Sequence, residues 1–318
     1  MRFGLAIPQY GFSLPAGRIR FADAVAWARR AEELGFDSVW LSEHLFYSFR
    51  RYGADPRPIA ALEPLTALAG IAAVTSSVRM GVIVMPAAFR PAGLVAKAAV
   101  TLDRLSEGRF QLGLGAGWLE DEFTAFGYRF GSVGDRFATL ERVLPEIVRL
   151  SDDPSSPRPR PVQRPLPIWL GGKGGPRLLR LAARHAAGWN VVWRVAPDAH
   201  EAALADVAIA CEREGRDPAT FRRNVGLYGT VGETEEEARA GFERARASFP
   251  GDAMRDETWE SWRADTLSGS PEQVIERVRA FEALGVEELI LSPWALPFTV
   301  IEPEIVEVFA GEVIPPCR

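Results

Sequence analysis

Strand-type runs alternate with helical stretches eight times along this chain, and that alternation limits the possible folds more than any other feature. The runs are 3–7, 38–41, 79–85, 110–114, 168–170, 188–192, 224–231 and 288–291. Amphipathic or apolar stretches at 21–34, 64–75, 93–105, 135–150, 176–186, 197–214 and 271–284 separate them, and 303–310 follows the last run. Parallel strands need such crossovers, and helices on one face of a closing sheet bury them. Eight units in succession without a second domain predict one (β/α)₈ barrel over residues 1–318, in preference to an open doubly wound sheet.

Local signals mark several boundaries. Ser270-Pro271-Glu272-Gln273 reads as a helix start, with a capping serine, proline at the first helical position and Gln273 placed for a capping box. Gly35 and Gly285 each follow an amphipathic helix as C-terminal caps. The proline-rich segment 152–167 reads as a long connection. Residues 232–270 form an insertion between the seventh strand and its helix, with Thr234–Glu237 as a capping box and Trp259 and Trp262 beyond it. Such an insertion serves either as a lid or as decoration.

Bulk properties narrow the function. A net charge of -5 gives no electrostatic footprint for nucleic acid. Two distant cysteines, Cys211 and Cys317, argue against a disulfide framework or a zinc site and fit a reducing cytoplasm. The N-terminal run breaks at Pro8, too early for a signal peptide. No apolar run approaches the roughly 18 residues of a membrane span. No histidine–carboxylate grouping has metal-ligand spacing, so no metal is expected.

Ligand chemistry in a barrel sits at the C-terminal strand ends. There the chain places Ser42-Glu43-His44, Gly115-Ala116-Gly117-Trp118, Gly171-Gly172-Lys173-Gly174-Gly175, Trp193 and Ser292-Pro293-Trp294. The glycines of 113–117 mimic a dinucleotide fingerprint, but Trp118 stands where its last glycine belongs. The residues from Glu120 to Arg136 read as loop rather than helix, which excludes a Rossmann reading. The second glycine loop runs into Pro176 and a helix, so its N–H groups and Lys173 suit an anion. Lys97 and Lys173 are the only lysines in the chain. His44 is placed to donate to a carbonyl or phenolate, or to relay a proton. The tryptophans suit a flat ring.

These residues resemble the bacterial luciferase-like family of flavin- and deazaflavin-dependent oxidoreductases. The resemblance rests on 31–44, on Asp103-Arg-Leu-Ser-Glu-Gly-Arg109, on 113–118, on Gly134-Asp-Arg-Phe137 and on 167–172, in that order and spacing. It implies a (β/α)₈ barrel with an insertion before the last strand, and FMN or coenzyme F420 at the mouth. Ser42-Glu43-His44 together with the glycine run and Trp118 looks most like the F420-dependent branch. By that resemblance His44 contacts the deazaflavin ring and is the catalytic residue. Ile83, Val84 and Met85 form a bulge behind the ring, containing a cis non-proline peptide. Gly115, Ala116, Gly117, Gly171, Gly172, Lys173 and Gly174 line the coenzyme's phosphate and side chain. Members that oxidise a sugar phosphate carry a catalytic glutamate where Trp118 stands, so an apolar or aromatic substrate against Trp118, Trp193 and Trp294 is expected instead. The alternatives are an FMN-dependent monooxygenase fed by a separate reductase, and a non-catalytic flavin-binding protein. Helices 64–74 and 93–105, apolar on nearly every side, lead us to expect a homodimer through them.

Overall fold

The computed structural model describes residues 1–152 and 159–318; part of the proline-rich connection, residues 153–158, lies outside the described residues. Nine strands form one closed parallel sheet: β1 (Arg2–Ala6), β2 (Ser38–Leu41), β3 (Arg79–Val82), β4 (Met85–Pro86), β5 (Phe110–Gly115), β6 (Ile168–Gly171), β7 (Gly188–Trp193), β8 (Arg222–Tyr228) and β9 (Glu288–Ser292). β3 and β4 are two halves of one stave, interrupted at Ile83–Val84. β3 and β4 both pair with β5 while β1 pairs with both β2 and β9, so eight staves close into a barrel. The expected strands lie within two residues of the observed ones, except that β8 begins two residues earlier and ends three residues earlier than 224–231.

The helices are α1 (Phe21–Glu33), α2 (Pro64–Ala72), α3 (Ala92–Leu105), α4 (Glu120–Ala125), α5 (Val133–Asp152), α6 (Pro176–His185), α7 (Pro197–Arg213), α8 (Glu235–Ser248), α9 (Trp259–Ala264), α10 (Pro271–Ala283) and α11 (Pro303–Val308). The insertion comprises α8 and α9. Thr234 caps α8 by accepting from Glu237 N, and Ser270 with Gln273 forms the capping box of α10. The stretch read as loop contains α4, a six-residue helix with three acids in its first turn. That correction matters for the site.

Large side chains fill the barrel. Trp40 and Trp169 are fully buried, and a Cβ on Gly81 would come 2.4 Å from the Trp40 ring, so glycine makes that room. Several of the polar side chains inside are paired. Trp40 Nε1 donates to Ser38 Oγ at 2.7 Å, Ser38 donates to Glu288, and Trp169 Nε1 donates to Gln111 Oε1 at 2.9 Å.

The run 103–109 is a fastener at the barrel's N-terminal end. Buried Asp103 accepts from Val162 N, Gln163 N and Gln163 Nε2, pinning the connection to β6. Arg109 donates to the carbonyls of Ala72, Thr75, Val78 and Ser106 and to Thr75 Oγ1, collecting the end of α2 and the start of β3. A cation at a helix C-terminus is also favoured by the helix dipole.

Most apolar side chains of α2 are already covered within one chain: Leu65, Leu68, Ile71 and Ala72 are buried, and Phe21 of α1 packs over Gly70. Of the residues behind the dimer expectation, Val74, Leu94 and Leu105 are the exposed large ones. Among the described residues no helix is long and apolar enough to cross a membrane.

Candidate functional site

The loop after β2 is built from below. Gln9 Nε2 donates to the Ser42 and Leu62 carbonyls at 2.6 and 2.9 Å, while its Oε1 accepts from Ser42 N at 2.8 Å. The Tyr10 hydroxyl bonds the Ser42 hydroxyl, and burial pushes the Tyr10 phenol well above its ordinary pKa. On this footing His44 meets α4: its Nδ1 lies 3.0 Å from Glu122 Oε1. Glu122 Oε2 accepts from Leu45 N at 2.8 Å. The Glu122 side chain is fully buried and that of His44 is 10% exposed.

The neighbouring acid has a different partner. Glu43, also fully buried at its side chain, pairs with Arg90, whose second nitrogen reaches Glu63 Oε1 at 2.6 Å. Glu63 caps α2 by accepting from Leu65 N and Thr66 N. Burial raises the Glu43 carboxyl to about 7, although the Arg90 guanidinium opposes the rise; its Oε2 is buried with no hydrogen-bond partner among the described residues.

The break in the third stave faces both glycine loops. The Ile83–Val84 peptide is cis, as is Val192–Trp193 at the end of β7. A Cβ on Gly115 would lie 2.6 Å from Val84 Cγ2, and one on Gly171 would lie 2.5 Å from Val84 Cγ1. These two glycines therefore admit the Val84 side chain whatever else they contact. Gly117 takes φ +81, its missing Cβ replaced by the Phe123 ring, and its carbonyl accepts from Arg136 Nε at 3.1 Å. The run 134–137 thus holds the glycine loop: Asp135 exchanges hydrogen bonds with Ser132 at the start of α5, and Arg136 reaches back to Gly117.

In the second loop Gly172 N donates to Asn190 O, and Trp189 Nε1 donates to Gly172 O at 2.7 Å. Gly174, at φ +77, leaves room for the Trp189 ring. Gly175 is the residue before α6, and Lys173 is exposed with no ion pair among the described residues. This arrangement leaves backbone donors and one cation for an anion.

An aromatic wall surrounds His44. Its ring lies 5.4 Å from both Tyr47 and Trp118, edge-on to each. Trp118 is 37% exposed and carries the Arg51 guanidinium 5.0 Å from its ring centroid. Trp193, partly exposed, stacks on Tyr228. Trp294 is 3% exposed and belongs to the buried cluster. From the insertion, Phe249 packs on Phe49 and Tyr52 of the loop after β2. His185 is half-buried on α6. His200 is fully buried with both ring nitrogens unpartnered, and it stacks on Trp189; burial lowers it to about 4.

Sequence reasoning passes over Glu63, Gln9 and Tyr10 and gives no role to Glu122 or Arg90. The acidic run after Trp118 was the one visible trace of Glu122. No local pattern announces a carboxylate whose partner is 78 residues away.

A family model described as luciferase-like monooxygenase matches residues 1–288. The F420-dependent hydroxymycolic acid dehydrogenase of Mycobacterium tuberculosis is 29% identical over 308 residues, covering 90% of this chain and 75% of its own length. The FMNH(2)-dependent dimethylsulfone monooxygenase of Pseudomonas putida is 26% identical over 334 residues, covering 92% and 86%. The structure of the coenzyme F420 dependent tetrahydromethanopterin reductase from Methanopyrus kandleri superposes with a TM-score of 0.77 at 18% identity, over 100% of this chain and 99% of that one. At that identity the match concerns the fold.

Two outcomes follow from this geometry. Gly171→Ala forces Val84 aside and should cost about 1–3 kcal/mol of unfolding free energy in urea melts. Adding Val84→Ala should recover part of that loss, and a strictly additive double variant would refute the packing assignment. Glu43, with its folded pKa near 7 above an ordinary carboxyl value, binds more protons folded than unfolded across the interval from about 4.5 to 7. Stability should therefore fall as pH rises through that window, by about 3 kcal/mol. Glu43→Gln should flatten that slope; equal slopes in both proteins would count against it.

Proposed function

Because this chain belongs to the luciferase-like monooxygenase family, we propose that it is an oxidoreductase that uses coenzyme F420 to reduce or oxidise an apolar or aromatic organic substrate. The observation that carries this reading is His44, held by Glu122 at the C-terminal mouth beside an exposed tryptophan. The protein groups fit such a coenzyme: backbone donors of the glycine loop and Lys173, which has no ion pair among the described residues, for its anionic portion, and an aromatic wall beside the histidine. Bound F420 supplies hydride transfer at its deazaflavin ring. The chain's own residues orient that ring, exclude water through Tyr47, Trp118 and Phe49, and offer His44 Nε2 as a proton acceptor or donor. Ile83, Val84 and Met85, with Gly115, Ala116, Gly117, Gly171, Gly172, Lys173 and Gly174, belong to the proposed cradle. Trp118 and Trp193 belong to the proposed substrate wall; Trp294 enters only as support from beneath.

A second reading is a monooxygenase that receives reduced FMN from a separate reductase. It is favoured by the Pseudomonas putida relative, which is similar over nearly the whole chain. Fluorescence titrations of the purified protein with F420 and with FMN separate the two. The first reading expects F420 binding, weakened roughly ten- to a hundredfold by Lys173→Ala, the range of one charge-assisted hydrogen bond. Micromolar FMN binding with no F420 response would transfer the assignment to the second. A homodimer through α2 and α3, seated on Val74, Leu94 and Leu105, is also part of the proposal. Light scattering at micromolar concentration should then give twice the chain mass, and a monomer would remove it.

A further inference from the structure

We propose that Glu122 is a positioning residue that fixes the protonation geometry of His44, leaving Nε2 as the reactive nitrogen; this rests on the reading of His44 as the residue facing the coenzyme. A backbone N–H can only donate, so the Leu45 bond makes Glu122 Oε2 an acceptor. With Oε1 accepting at the second position, 3.0 Å from His44 Nδ1, the carboxylate holds the ring proton on Nδ1. A neutral imidazole carries one ring proton, so Nε2 then presents a lone pair. Nε2 has no hydrogen bond among the described residues, and the ring lies against exposed Trp118.

The surroundings supply no substitute for Glu122. Glu43, the adjacent acid, is paired with Arg90, and Glu63 is divided between Arg90 and the start of α2. Ser48, on the same loop, pairs with Asp121, and so does Arg50. Those contacts dock α4 onto the loop after β2, so Glu122 arrives on a short helix held at both faces, with Phe123 seated beneath Gly117. A carboxylate can accept at both oxygens, whereas an amide cannot. In Glu122→Gln, an oxygen that keeps the Leu45 N–H bond turns the NH₂ group towards Nδ1. Two donors cannot face each other, so the ring proton moves to Nε2.

The chain has three histidines, which makes the test direct. Spectra of ¹⁵N-histidine-labelled protein are recorded above the imidazole titration, with His44 assigned from a His44→Asn sample. Wild type should show His44 protonated at Nδ1, with that proton exchanging slowly with water, and an unprotonated Nε2. Glu122→Gln should exchange the two assignments. Wild-type His44 protonated at Nε2, or a Glu122→Gln spectrum identical to wild type, overturns the proposal. Should the variant not fold, the wild-type spectrum decides alone, and rapid exchange of the Nδ1 proton overturns it. F420 and FMN titrations of wild type are run alongside. If neither coenzyme binds, the proposed function fails while the tautomer result stands on its own; if F420 binds and the tautomer is wrong, the role of Glu122 alone fails.

Discussion

The isopropyl group of Val84 occupies the space that Cβ atoms on Gly115 and Gly171 would fill, and much of the mouth depends on that fit. It locks the break in the third stave against the ends of β5 and β6, so three neighbouring strand ends are set by one side chain. Gly113 belongs to the same arrangement: a Cβ there would stand 2.1 Å from the Val82 carbonyl oxygen. Interiors packed to crystalline density do not absorb an added methyl without displacement. Glycines that look like a ligand cradle in the sequence thus have a packing reason to be glycine, independent of any bound group. A ligand role for Gly115 and Gly171 would come in addition to that reason.

The other runs behind the family resemblance divide in the same way. Asp103 and Arg109 act at the opposite end of the barrel from His44, where one collects backbone donors and the other collects backbone acceptors. Asp135 and Arg136 close the start of α5 and hold the Gly117 carbonyl. Each is a charged side chain spent on main-chain groups, which in loops have no ladder to satisfy them. A family signature of this kind reports the architecture of the loops more than the chemistry.

Periodicity made the barrel legible, because eight strand–crossover units leave few ways to bury a parallel sheet. The same reasoning places His44, Lys173 and both glycine loops at the C-terminal ends of the strands. It failed where structure is short or contacts are distant. α4 has fewer than two turns, too few for an apolar stripe to register, so 120–125 passed for loop. The apolar residues around α2 are in large part buried by neighbours within the chain, including a face closed by Phe21 over Gly70, and the pattern alone does not separate those neighbours from a partner chain. The burial of Trp294, which follows β9, is likewise not announced by its position in the sequence. A residue's place after a strand fixes which end of the barrel it occupies, but leaves its side chain free to point inward.

Charge around His44 gives the loop after β2 its asymmetry. Three of the carboxylates in this small region are each committed differently: Glu63 to the start of α2 and Arg90, Glu43 to Arg90 in a buried setting, Glu122 to the imidazole and the Leu45 amide. Buried like charges are tolerated only when each has its own compensation. With Arg90 shared between Glu43 and Glu63, the first of these is raised towards neutrality by its burial. That leaves the Glu122 carboxylate to act on the imidazole without competition from the residue beside it. The order Ser42-Glu43-His44 therefore sets two acids on separate duties. Arg90 restrains one, and α4 delivers the other to the ring that faces the mouth.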